Sequence, residues 1–307
     1  MEAITTTGAA DLEVIIVGGS YAGLSAAMAL GRSLRRVLVI DGGLPCNRQT
    51  AHSHNFITQD GVVPAMIAGK ARDQVLAYPS VQWINGMVTE ARKEAGGFVI
   101  TTASDESFHT LRVLFATGIY DMLPELSGFQ ACWGISVLHC PYCHGYEVNG
   151  KRLGIMANGD IAFDYVRLIH QWSKQLTLFT NGPSTLVDAH RQKIQQHGIA
   201  IIETPVSGVA HVGGYLSGVM LASGEVEVVD ALFYRPAFRQ HCDLPVALGC
   251  NLTEQGYIQA DDFGKTNVPG VFVAGDNANM MRSVAAAVAA GNKAGAWINR
   301  ELVEEQF

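Results

Sequence analysis

Short apolar runs that end at small or acidic residues recur along the chain. Val14-Ile15-Ile16-Val17, preceded by Glu13, reads as a buried strand. It enters Gly18-Gly19-Ser20-Tyr21-Ala22-Gly23, after which Leu24, Ala27, Met28 and Leu30 fall at helical spacing. Val37-Leu38-Val39-Ile40 is the next strand and ends at Asp41. The same rhythm returns later. Arg152 to Met156 predicts a strand, residues 157–162 a turn, Phe163 to Trp172 a helix and Leu176 to Phe179 another strand. Val81 to Ile84 is a shorter strand. Phe98 to Thr102 and Thr110 to Val113 predict an antiparallel ribbon across the polar turn Ser104-Asp105-Glu106. Leu114 to Gly118 closes a strand with small residues. Gly270 to Asp276 is an apolar strand ending in an acid, with a helix expected from about Met281. Strands alternating with helical segments place the chain in the α/β class, with two units of the Rossmann-like, three-layer kind.

The glycines say what the first unit is built for. Gly18 suits the tight turn, Gly23 close helix-to-strand packing, and the helix N-terminus faces a pyrophosphate. Asp41, about 20 residues on, is placed for ribose hydroxyls. Ser20 stands at the middle glycine position, a departure small enough to let phosphate approach. The second unit carries Ala157 at the first glycine place, with Gly159 and Ala162 at the others. Its second strand leads into Thr180-Asn181-Gly182-Pro183, with neither an acid for a ribose hydroxyl nor an arginine pair for a 2′-phosphate. Nucleotide binding is therefore expected of the first unit and doubtful for the second. Asp276 is suited either to a ribityl hydroxyl or to a helix cap.

With 307 residues, 48% of them hydrophobic, the chain can form two domains with a core each. A net charge of −7 gives no bulk attraction to nucleic acid or anionic membrane. The stretch from Ser283 to Ile298 is rich in Ala and Gly and broken by Asn292 and Lys293, so it reads as a packed helix and not a membrane span. Met1 to Asp11 lacks the basic and apolar regions of a signal peptide, which sets an expectation of a cytoplasmic protein.

Six cysteines do not form a disulfide framework here, and one pair stands apart: His139-Cys140-Pro141-Tyr142-Cys143-His144. This spacing supports a disulfide that opens and closes. Pro141 favours helix initiation, a helix N-terminus favours a thiolate, and His144 can move protons near neutral pH. The competing readings are half of a zinc site, for which no second Cys-x-x-Cys exists, and two buried thiols.

Gly18 to Gly23, Ala116-Thr117-Gly118, the Cys-x-x-Cys pair and Val271 to Asp276, in that order, resemble the low-molecular-weight thioredoxin reductases over nearly the whole chain. The resemblance implies a discontinuous FAD domain at residues 1–118 and 242–307, a middle domain at 119–241 bearing the cysteines, and a homodimer. It assigns Gly18, Ser20 and Gly23 to the pyrophosphate loop and Asp41 to the ribose. Thr117, Gly118, Gly275 and Asp276 take further flavin-side places, and Arg282, Ser283 and Val284 begin the helix facing the isoalloxazine. It also assigns Cys143 to the flavin side and Cys140 to the substrate side, as catalytic residues with His144, which stands where thioredoxin reductases have Asp.

The middle domain lacks a basic run for NADPH. Cys-Pro-Tyr-Cys-His-Gly-Tyr-Glu is closer to the dithiol oxidase-like members and other relatives that do not use pyridine nucleotides, some of which use ferredoxin or a second flavin. The expected function is FAD-dependent dithiol/disulfide exchange without NAD(P)H, on a thioredoxin-like protein or a small dithiol, with no metal. The alternatives are an NADPH-dependent thioredoxin reductase, an FAD-bound redox sensor and a zinc module. Among the remaining residues, His139 is a second candidate proton carrier and Cys46 a bystander thiol. Arg48, His52 and His54 are expected near the FAD phosphates or the flavin, the His-x-His spacing also suiting a metal for which two ligands alone are weak evidence, and Tyr146 and Glu147 are expected to fix the redox turn.

Overall fold

The structure, a computed structural model, describes residues 12–307, so the reading of the N-terminal segment lies outside the described residues. The chain forms two compact units. The first holds the stretch ending at Arg48, Pro64–Tyr120 and Arg239–Phe307, and the second holds Gln49–Val63 and Asp121–Phe238.

In the first unit Val81–Asn85, Val37–Asp41, Leu12–Val17 and Ser107–Phe115 lie side by side as parallel strands. The last of these is shared. Its end pairs in parallel with Val271–Val273, and its start pairs antiparallel with Gly97–Thr102, which pairs in turn with Val88–Glu94. Both faces of the parallel strands are covered, which is why their sequences are continuously apolar instead of alternating. Val14 and Ile16 pack with Leu24, Ala27 and Leu30 of the helix Tyr21–Arg32 and with Ala294, Ile298 and Leu302 of the helix Val284–Gln306. Ile15 and Val17 point the other way, to Ile40, Phe115, Ile258 and Val273.

The two helices meet backbone to backbone. A Cβ at Gly291 would stand 2.0 Å from the Ala22 carbonyl oxygen, and Ser25 Oγ donates to the Val288 carbonyl at 2.7 Å. That contact explains the Ala- and Gly-rich sequence of the last helix. No helix among the described residues is long and apolar enough to cross a membrane.

The second unit has a five-stranded parallel sheet in the order Ala200–Ile202, Leu176–Phe179, Leu153–Met156, Ala231–Tyr234, Val137–Leu138. The helix Gly159–Ile169 packs Ala162, Val166 and Ile169 into its core. A three-stranded antiparallel sheet, Val206–Val212, Tyr215–Leu221 and Val226–Glu227, completes it.

Two boundaries differ from expectation. The helix expected from about Met281 starts at Val284, because Ser283 is its N-cap and accepts from the Ala286 amide at 3.1 Å. Residues 49–63, expected within the FAD domain, lie with the second unit.

Candidate active site

The strand Val137–Leu138 runs out through His139 into the redox motif, at the carboxyl end of the parallel sheet, where open α/β sheets place their chemistry. Cys140 is the N-cap of a one-turn helix, Pro141–His144, with Pro141 at its first position, where a missing N–H costs nothing. Cys140 and Cys143 are joined as a disulfide with Cα atoms 5.3 Å apart. One turn carries little macrodipole, so the helix contributes less to a thiolate than the sequence suggested.

Gly145 closes the turn, donating to the Pro141 carbonyl at 2.7 Å. A Cβ there would lie 2.4 Å from that oxygen and 2.7 Å from Trp172 Nε1. Trp172 in turn meets Tyr142 edge to face at 5.6 Å. The hydroxyl of Tyr165, its phenol pushed far up by burial, donates to the His139 carbonyl and fixes the strand exit. Tyr142 and Tyr146 are exposed.

Burial pushes the His144 imidazole below its ordinary value. Glu147 opposes that shift by attracting the charged ring, and His54 reinforces it by repulsion. His54 belongs to the loop 49–63. Its Nε2 stands 3.5 Å from Glu147 Oε1 and its Nδ1 3.6 Å from Asp60 Oδ1. Arg48 is part of the first unit and donates to the Pro45 carbonyl, whereas His52 and His54 lie with the second unit, their ring centroids 6.5 Å apart. Glu147, read as a fixer of the turn, faces the His54 imidazole.

In the first unit, Gly18 has φ +104°, and a Cβ there would stand 2.4 Å from the Ala116 carbonyl oxygen; one on Gly23 would stand 1.9 Å from the Gly18 oxygen. These contacts keep the turn low and leave the start of the helix Tyr21–Arg32 accessible to an anion. Ser20, its N-cap, makes no side-chain cap. Asp41 accepts from the Gly19 amide at 2.9 Å, which fixes the carboxylate at the end of the second strand. Gly118 and Gly275 both have positive φ, +65° and +95°. Thr117 Oγ1 and Asn277 Oδ1 are buried without a hydrogen-bond partner among the described residues, a cost that a polar ligand would relieve. Arg282 Nε lies 3.8 Å from Asp276 Oδ2, and Cys46 Sγ 3.9 Å from the same oxygen.

Asp276 does not cap the last helix, since Ser283 does. These groups fit a flavin dinucleotide: small residues at the phosphates, a fixed acid at the ribose, and orphaned polar atoms farther along. Sequence reasoning missed Asn277, whose Nδ2 donates to the Phe115 carbonyl at 2.8 Å and ties two strand ends together.

The second glycine turn is capped by a side chain. Asn158 caps the helix Gly159–Ile169, its Oδ1 accepting from Gly159 N at 2.9 Å, Thr185 N at 2.8 Å and Thr185 Oγ1 at 3.2 Å. Its Nδ2 donates to the Pro183 carbonyl at 2.9 Å. The Gly159 amide at the helix start and the Thr185 amide are thus engaged by a side chain. Arg191, a cation beyond that turn, is paired with Glu203 at 2.8 Å.

Comparison with known proteins agrees with this geometry. The family profile described as pyridine nucleotide-disulphide oxidoreductase matches residues 12–291. The thioredoxin reductase sirT of Leptosphaeria maculans is 28% identical over 304 residues, covering 94% of this chain and 93% of its own. A Bacillus anthracis structure assigned as the thioredoxin reductase TrxB superposes with a TM-score of 0.92 at 31% identity, covering 96% of this chain and all (100%) of that one. An oxidoreductase from Agrobacterium tumefaciens gives a TM-score of 0.90 at 35% identity, covering 96% of this chain and 99% of its own. With a Cys140–Cys143 disulfide on one unit and a glycine-rich strand-to-helix turn on the other, the chain belongs to the pyridine nucleotide-disulphide oxidoreductase family, as a thioredoxin reductase-like, flavin-dependent disulfide oxidoreductase.

Proposed function

We propose that this enzyme interconverts a dithiol and a disulfide through Cys140, Cys143 and FAD without drawing on NAD(P)H. The observation that carries the second half of this reading is Asn158, whose carboxamide engages the amides of Gly159 and Thr185 that would otherwise face a nucleotide phosphate. FAD, when bound, supplies the two-electron acceptor or donor to which the cysteine pair is coupled. Gly18, Ser20, Gly23, Asp41, Thr117, Gly118, Gly275, Asp276, Arg282, Ser283 and Val284 are the residues assigned to hold it.

In the oxidising direction a substrate thiolate attacks Cys140 Sγ, the Cys140–Cys143 bond breaks, and Cys143 leaves as a thiolate. A second substrate thiol, once deprotonated, attacks the mixed disulfide and releases Cys140. The substrate loses two electrons and two protons while the cysteine pair gains the electrons. His144 accepts a proton. Burial favours its neutral form, so it is ready as a base at neutral pH.

Exposed Tyr142 and Tyr146 flank the disulfide and offer aromatic surface to a small apolar dithiol or to a thioredoxin-like protein. NADPH-driven reduction of a thioredoxin is the competing reading, favoured by the names of the relatives. An anaerobic titration of the flavin with NADPH, NADH and a small dithiol in parallel separates the two. Bleaching by the dithiol alone is expected, and rapid bleaching by NADPH would overturn the proposal.

A further inference from the structure

The second unit carries a cavity of about 450 Å³ between its helices Gly159–Ile169 and Asp188–Gln196. That volume lies in the range of ~300–1,000 Å³ found for small-molecule sites. Phe163 and Val166 from the first helix, Ile194 from the second and Ile199 beyond it make the floor. Val166, Ile194 and Ile199 belong to the core of the unit, so this floor is fixed. Every other lining group is basic: Arg167 and His170 on one side, Lys193 and His197 on the other. Lys174 extends the set, its Nζ 3.1 Å from His170 Nδ1. No carboxylate lines the cavity, although the chain has 28 acidic residues against 21 Lys and Arg.

Cations at helix carboxyl ends ordinarily answer the open carbonyls there. Here the backbone that follows each helix does so. Gln171 N donates to the Leu168 carbonyl at 3.3 Å and Trp172 N to that of Ile169 at 2.9 Å. At the other helix, His197 N donates to the Ile194 carbonyl at 3.1 Å and Gly198 N to that of Gln195 at 2.9 Å. Carboxylates do not neutralise the cluster either. Asp164, 77% exposed, stands 3.5 Å from Arg167, a solvated pair of small worth. Lys193, His170 and His197 pair with no carboxylate among the described residues. The surplus is felt within the cluster. The His170 and His197 rings stand 5.0 Å apart, and burial, Lys174 and His197 push the His170 imidazole below its ordinary value. An anion relieves that repulsion, and the floor requires that it carry an apolar body.

We propose that this cavity binds a small amphiphilic carboxylate, its acid group between Arg167 and Lys193 and its hydrocarbon on Phe163 and Ile194. The site uses neither the disulfide nor the flavin, so it stands or falls apart from the proposed reaction. The test is NMR of FAD-loaded protein with 13C-labelled isoleucine methyl groups, titrated with octanoate, hexanoate and 1-octanol. The Ile194 and Ile199 signals should shift saturably with octanoate. Hexanoate, with two fewer methylenes on the floor, should bind about tenfold more weakly. 1-Octanol, with the same chain and no charge, should also bind at least tenfold more weakly than octanoate. Arg167→Gln combined with Lys193→Gln should remove the advantage of octanoate over 1-octanol, with the Ile194 and Ile199 signals of the free protein still in place as evidence of an intact fold. The proposal is overturned if neither signal responds to octanoate, if chain length or charge makes no difference, or if the double variant binds octanoate as wild type does. Tetraglutamate moving the same signals at lower concentration than octanoate would overturn it too, by showing a charged surface that reads acidic peptide without using the floor.

Discussion

Replacing Asn158 with Ala tests whether the second glycine turn is plugged or available. The side chain takes part in five hydrogen bonds, to Gly159 N, Thr185 N, Thr185 Oγ1, Thr180 O and Pro183 O. A net value of ~1 kcal/mol per bond would give an upper bound near ~5 kcal/mol. The two bonds from Thr185 and the one to Pro183 lie at exposed positions, where water replaces a lost partner. The part-buried pair to Gly159 N and Thr180 O therefore carries most of the loss, about 2 kcal/mol, which includes removal of a helix cap worth ~1 kcal/mol. At roughly 2–4 °C per kcal/mol, the Tm of the FAD-loaded protein should fall by about 4–8 °C. Thermal unfolding followed by circular dichroism reads this directly. The same variant, titrated anaerobically with NADPH, should be bleached no more slowly than wild type, because the amides have lost their occupant. If the Tm stays within about 1 °C, the side chain does not hold the turn, and if wild type is bleached by NADPH and the variant is not, Asn158 is a nucleotide ligand; either result refutes the reasoning.

Cys140→Ser and Cys143→Ser should each abolish dithiol-driven bleaching while leaving the flavin content unchanged, as read by absorbance after gel filtration; turnover in both variants would remove the disulfide from the mechanism. Because burial holds His144 below its ordinary value of ~6.5, the acid limb of dithiol oxidation should lie below pH 6.5, and a limb well above it would contradict the assignment. The stability counterpart has a definite sign. As pH falls through ~6.5 the unfolded chain binds the proton first, so stability declines from that pH down to the lower value of the folded His144 and stays reduced below it, and His144→Gln should flatten the declining part of the urea-midpoint profile. Gly291→Ala places a Cβ 2.0 Å from the Ala22 carbonyl oxygen, so the urea midpoint should drop by the equivalent of ~1–3 kcal/mol of overpacking, and an unchanged midpoint would mean that the two helices are not in close contact.

Local chemistry was legible in the sequence where one short segment carries the whole signal. Val14 to Val17, Gly18, Gly23 and Asp41 describe a strand, a turn and a fixed acid that needs no distant information, and the structure places them so. The ribbon across Ser104-Asp105-Glu106 was readable for the same reason. The helix Pro64–Leu76 and the hairpin turning at Gly213-Gly214 carried local signals, a leading Pro and a Gly-Gly pair, that the reading did not use. Other features were out of reach. Nothing near His54 indicates that it meets Glu147, since that contact joins residues more than ninety positions apart. Asn158 reads as a poor glycine substitute, and only its partners across the turn, Thr185 and Pro183, show that it fills the space itself.

The allocation of residues 49–63 has a consequence for how this protein can be divided. A cut at the boundaries suggested by the motifs, 119 and 241, would isolate the redox disulfide, His144 and Glu147 on one uninterrupted fragment. That fragment would leave His54 and Asp60 behind, because they are encoded far upstream, between two stretches of the flavin-type unit. The acid–base surroundings of the cysteines are thus spliced into the chain from elsewhere. Grafting the Cys-x-x-Cys segment onto a relative would transfer the sulfur chemistry without this loop, and an exchange of units between relatives has to carry both pieces together.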